Sequence, residues 1–167
     1  ENTIDKETDQ TKDVTIANST TTWNEPDSAY KATYPYNRVY KTETGHVKEY
    51  DDTEGEERIH EYHKSGSFYE IDKDGNKVTR LVKDNYVIVA GDDYVNIKGS
   101  VNLTIDNNCN MHVKGNYEVQ VDGNKNEVIK GTLNQTVTGN VTETYSGNQT
   151  TAISGNLDVD AARIDLN

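Results

Sequence analysis

Large, wholly apolar side chains are nearly missing from this sequence. It has one tryptophan, one phenylalanine and one methionine in 167 residues, and eleven tyrosines supply almost all of its aromatic content. Hydrophobic residues make up only 32% of the chain, too few for one copy to offset its ordering entropy by burying a core of its own. Either much of the chain stays unstructured or several chains share a core. Cysteine is almost absent too: Cys109 stands alone, which excludes an intrachain disulfide framework and a cysteine zinc site. No apolar run approaches the ~20 residues of a transmembrane helix, and no signal peptide is recognisable. Positive charge is scarce, with 17 Lys and Arg against 29 Asp and Glu and a net charge of −12. That balance argues against a nucleic-acid partner, because phosphate binding needs clustered basic residues.

What is present is regular. Gly91, Gly99, Gly115, Gly123, Gly131, Gly139, Gly147 and Gly155 lie on one eight-residue grid, and Asn107 fills its remaining point. Asn is the non-glycine residue most tolerant of positive φ, so the grid reads as a row of corners at which a Gly-Asn step turns the chain. Two residues before the grid points stand Val89, Ile97, Ile105, Val113, Val121, Ile129, Val137, Tyr145 and Ile153, all β-formers. Each octad therefore predicts a corner followed by one short strand. Side chains alternate along a strand, so the Val/Ile column shares its face with the residues two and four positions earlier. The column four residues after each corner begins aliphatic, at Val95, Leu103, Met111 and Val119, then turns polar at Glu127, Gln135, Glu143 and Thr151.

One inward aliphatic per octad is too little for a single-chain solenoid. Three chains wound about one axis would bring three such columns together. The predicted fold is all-β: an intertwined parallel homotrimeric β-helix, a triangular prism built on the octad repeat, with hydrogen bonds running between chains. Lys125, Glu127, Gln135 and Glu143 would line a polar lumen holding waters or ions, since bare buried charge is costly.

Upstream the pattern changes. Residues 1–25 are polar and aperiodic, and predict a flexible linker. Residues 26–85 predict an extended segment, marked by Pro26 and Pro35 among tyrosines and lying on a partner surface, and then a small antiparallel β meander. Its turns fall at Gly45, Gly55, Gly66 and Gly75, with Asp74-Gly75 as a hairpin signal. The needle occupies residues 86–167.

The octad array resembles the C-terminal needle of the central spike proteins of contractile-tailed bacteriophages, and that of the related type VI secretion valine-glycine repeat proteins. The stretch YPYNRVYKTETGHVKEYDDTEGEERIHEYHKSGSFYEIDKDG is similar to the lead-in segment of that family, and the terminal ARIDLN is similar to its ending. Glu54 stands where that lead-in carries proline. The resemblance implies a homotrimeric, non-enzymatic, membrane-piercing spike at the tip of the virion's tail baseplate, with a type VI secretion spike as the alternative. Tail hub proteins would join its N-terminal side. A small conical tip protein would dock on Arg163, Ile164, Asp165, Leu166 and Asn167, and the bacterial outer membrane would be the mechanical target. The phage relatives also carry an oligonucleotide-binding-type domain and a lysozyme domain. Neither is recognisable here, so no muramidase activity carries over, and no cofactor is implied.

Other chemistries find little support. His60 and His63 are three apart on one strand, so they face opposite sides, and only a three-fold ring of either could hold a metal. No Ser/His/Asp arrangement or carboxylate pair has a recognisable spacing. Calcium-binding β-rolls use a nonapeptide with paired glycines, unlike the single glycine per octad here. The Thr-x-Thr pairs of TLNQTVTGNVTETYSGNQTTA suggest the hydroxyl array of an adhesin or ice-binding solenoid, but they are irregular and leave the upstream segment unexplained.

Overall fold

The computed structural model describes residues 10–164, which contain β-strands and no helix. Seven strands form: β1 (Val14–Thr15), β2 (Thr22–Trp23), β3 (Asn37–Lys41), β4 (Val47–Asp51), β5 (Arg58–Tyr62), β6 (Phe68–Ile71) and β7 (Lys77–Arg80). β1 and β2 pair as an antiparallel hairpin, and β3 to β7 form one antiparallel sheet in chain order. The lead-in expected to be a flexible linker thus carries a hairpin in its described part, where Val14 faces Trp23. Residues 1–9 of that linker lie outside the described residues.

Three of the four turns in the meander share one design. In Thr42–His46, His63–Ser67 and Asp72–Asn76 the fourth residue is a glycine with positive φ: Gly45 at 96°, Gly66 at 98° and Gly75 at 80°. In each, that glycine N–H donates to the carbonyl of the first residue, at 3.1, 2.9 and 3.0 Å. The first side chain also closes the turn. Thr42 Oγ1 accepts the His46 N–H, His63 Nδ1 accepts the Ser65 N–H, and Asp72 Oδ1 accepts the N–H groups of Asp74 and Asn76. A left-handed residue at that place is what a three-residue hairpin loop requires, and glycine supplies it without steric cost.

The meander has one buried face, and that face is mostly charged. Val47 and Phe68 are its only buried hydrophobics, whereas Glu49, Asp51, Arg58, His60 and Glu70 are each at most 4% exposed. Alternation explains the geometry: Val47, Glu49 and Asp51 point inward from β4 while Lys48 and Tyr50 point out. Arg58 bridges two neighbouring strands, donating from Nη1 to Glu70 at 2.7 Å and from Nη2 to Glu49. The cover is the segment of residues 25–33, expected to lie on a partner but laid over the sheet of its own chain. There the Ser28 hydroxyl and the Ala29 N–H donate to Glu70, Tyr30 stacks on the Arg58 guanidinium, and Thr33 N–H donates to Thr53. Asp51 in turn accepts from both the N–H and the hydroxyl of Thr53.

The chain divides into two compact units, Glu1–His112 and Val113–Asn167. In the first, after β7, and throughout the described part of the second, the same local geometry repeats. Bends fall at residues 82–83, 90–91, 98–99 and 106–107, then at 114–115, 122–123, 130–131, 138–139, 146–147 and 154–155, with six-residue stretches between them. The period of eight is as expected, and it begins one octad before the first grid glycine. The corner itself differs. It sits on the residue before each glycine and the glycine, not on Gly-Asn, and neither the grid glycines nor Asn107 take positive φ. Tolerance of left-handed backbone is therefore not what suits Asn107 to its place.

Candidate functional site

The repeat region leaves its side chains uncovered. Every described residue from 83 onward is exposed, and none of them pairs as a strand within the chain. The exposure is still ordered. The Val/Ile column, Val89 to Ile153, lies between 44% and 55% exposed, while the aliphatics two residues earlier, such as Val95, Leu103 and Val119, lie between 61% and 75%. Those two columns and Val101, Tyr117, Leu133, Val141 and Leu157 hold most of the large apolar side chains of the repeats. Fully burying one Val or Ile is worth about 1.5–3 kcal/mol, so a half-exposed column of nine leaves much of that gain unrealised.

Contacts between residues two apart show which columns share a side. Lys125 Nζ donates to Glu127 at 2.6 Å and the Tyr145 hydroxyl donates to Glu143 at 3.0 Å, both within the apolar column set. The hydrogen bond holds Glu127 below the usual carboxylate range and raises Lys125; likewise its bond to Glu143 raises the Tyr145 phenol. On the other parity, Gln120 donates to Asp122 at 2.7 Å and Tyr94 to Asp92 at 3.1 Å. So two of the four residues expected to line a lumen, Lys125 and Glu127, pair within one octad, while Gln135 and Glu143 stand apart from them in later octads. Arg163 and Ile164 at the proposed docking end are exposed, and Asp165, Leu166 and Asn167 lie outside the described residues.

The histidines separate. His60 is 1% exposed, edge-on to Phe68 with ring centroids 5.8 Å apart. Enclosed by its own chain, it cannot join a ring with other copies. His63 is exposed, 4.4 Å from the His46 ring and hydrogen-bonded to Ser65. No group of three or more metal-ligating side chains occurs among the described residues.

Sequence reasoning missed the buried Glu49–Arg58–Glu70 cluster. Its one local signal is the placement of Glu49, Arg58 and Glu70 at inward parity on three successive strands.

No protein-family model matches the chain. Over 67 residues it is 49% identical to Protein Gp5 of Vibrio phage KVP40, a match covering 40% of this chain and 16% of that protein. Over 64 residues it is 41% identical to the pre-baseplate central spike protein Gp5 of Enterobacteria phage T4, covering 38% of this chain and 11% of the relative. The chain thus spans less than a fifth of the length of either curated relative. The second name is that of a structural component rather than of a catalyst. Across about two fifths of its length, then, the chain is similar to phage proteins named Gp5, one of them a pre-baseplate central spike protein.

Proposed function

We propose that this chain forms the needle of a tail-baseplate central spike, assembling as a parallel homotrimeric β-helix that pierces the outer membrane of the host. The observation that carries the reading is the octad array itself. Apolar columns at strict period eight remain half exposed, on stretches whose backbone finds no strand partner within the chain. Both deficits are removed together if three copies wind about one axis, because each copy supplies the other two with strand partners and with a shared interior. The similarity to a pre-baseplate central spike protein supports the baseplate location.

In that assembly Lys125, Glu127, Gln135 and Glu143 line a lumen holding waters or ions, and the Lys125–Glu127 pair neutralises part of its charge. The N-terminal side joins the tail hub, and the Arg163 end receives the conical tip protein. The work is mechanical: the needle transmits the force of sheath contraction, so its surface chemistry serves stiffness and register rather than turnover. Light scattering on the full chain tests it. The mass should be three times 18.7 kDa, and a Val121→Asp, Ile129→Asp double variant should fall to monomer while keeping the meander's amide protection. A wild-type chain that is monomeric at micromolar concentration refutes the proposal.

A further inference from the structure

The residue before each corner carries a second pattern that apolar burial does not explain. Lys98, Asp106, Lys114, Asp122 and Lys130 follow one another at intervals of eight, alternate strictly in sign and are all exposed. Each is the first residue of a bend. None of the five makes an ion pair within the chain among the described residues, and the one polar contact, Gln120 to Asp122, is to a neutral amide. Consecutive members are separated by a corner and a six-residue straight stretch, roughly 20 Å of extended chain, so a single copy cannot bring them together.

We infer that this column is an interchain ladder that selects the register of assembly. The inference rests on the parallel trimer proposed above, and the partner it names is a second copy of the chain. In a three-chain helix, successive octads of one copy occupy successive faces. Along any edge, octad n of one copy then stacks on octad n+1 of the next, about 4.8 Å away. Lys98 of one copy meets Asp106 of the next, and Asp106 meets Lys114, so opposite charges alternate down the edge. A slip by one octad sets Lys against Lys and Asp against Asp.

The apolar columns cannot prevent that slip. Every octad presents a β-former in the same place, so a slipped trimer buries nearly the same surface. Opposite charges across neighbouring strands add little when exposed, and like charges there cost a similar amount. The column therefore acts on the choice between registers more than on the stability of the correct one. Past Lys130 the same position holds Thr138, Ser146 and Ser154, so the ladder is confined to the upstream octads.

The test refolds four full-length chains from denaturant at low and at high salt and measures the fraction that reaches trimer mass. Asp106→Lys with Asp122→Lys makes the column uniformly basic. The inverted column adds Lys98→Asp, Lys114→Asp and Lys130→Asp to those changes, preserving alternation. Asp158→Lys with Asp160→Lys is the control, with the same change in net charge elsewhere. At low salt the uniform column should yield several-fold less trimer than wild type, and should recover at high salt, where screening shortens the reach of the repulsion. The inverted column and the control should assemble like wild type. General repulsion would act oppositely, since the uniform variant is less negative than wild type. A uniform column that assembles as well as wild type at low salt overturns the ladder, as does an inverted column that fails equally. A wild-type chain that never reaches trimer mass overturns the assembly reading and the ladder with it, a result recognisable because no substitution is involved.

Discussion

Replacing Arg58 with Met keeps much of the side chain's length and volume while removing the cation that Glu49 and Glu70 share. The side chains of Arg58, Glu49 and Glu70 are only 1%, 5% and 4% exposed, so solvent screens the loss very little. Breaking a buried pair by deleting one partner typically costs about 3–5 kcal/mol, because the remaining charge is stranded. One term works the other way. Arg58 Nε is enclosed without a hydrogen-bond partner among the described residues, and removing that donor returns about 1 kcal/mol of desolvation. A net loss of about 3 kcal/mol follows, a large share of the 5–15 kcal/mol typical of a whole domain. Amide hydrogen exchange on the full chain is the assay, read on β4, β5 and β6, because it reports local opening without requiring the repeats to unfold. Adding Glu49→Gln and Glu70→Gln to the Arg58→Met chain should recover most of the loss, since no buried carboxylate charge then remains on that pair. If Arg58→Met lowers the opening free energy of β5 by less than about 1 kcal/mol, the range of an exposed pair, the ion cluster is not what holds this sheet together.

Two smaller predictions concern the turn between β6 and β7. Hydrogen bonds from Asn76, side chain first, depress the Asp72 carboxyl below its ordinary value. A depressed carboxyl stabilises the fold above its unfolded pKa, and that contribution is lost as pH falls through the lower folded value. Protection of the Asn76 amide should therefore decline on acidification below about pH 4, and Asp72→Ala should remove that dependence. Gly75 has φ of 80° and open space where a Cβ would stand, so Gly75→Ala should cost the hairpin about 1–2 kcal/mol through backbone strain alone, measured as faster exchange at Val78.

The grid glycines make the period of the bends readable in the sequence, because a corner needed every eight residues leaves a mark in composition. The conformation of the corners was not readable. A recurring glycine marks where the chain turns but not which φ the backbone adopts, and the bend begins one residue earlier. In the meander the turns were legible from Gly45, Gly55, Gly66 and Gly75. The closing role of Thr42, His63 and Asp72 could also have been read, since each stands three residues before its glycine. The charged interior was hidden for a physical reason. VKEYD alternates, but a carboxylate occupies two of its three inward places, so hydropathy cannot distinguish the faces. What makes the burial tolerable is supplied by Arg58 and by the segment carrying Ser28 and Ala29, more than forty residues from Glu70. No local window contains both.

The strict spacing of the bends also constrains how such a chain can change in length. With corners at 90–91, 98–99 and onward, an insertion of eight residues adds one repeat and returns every downstream side chain to its column. An insertion of one residue exchanges the two parities, sending Val137, Tyr145 and Ile153 to the side now held by Thr136, Thr144 and Ala152 and spoiling everything beyond the insertion. Viable lengths are therefore discrete. Duplication or loss of whole octads should be the route by which relatives come to differ, and an interval of any other size should coincide with a bulge that restores the phase.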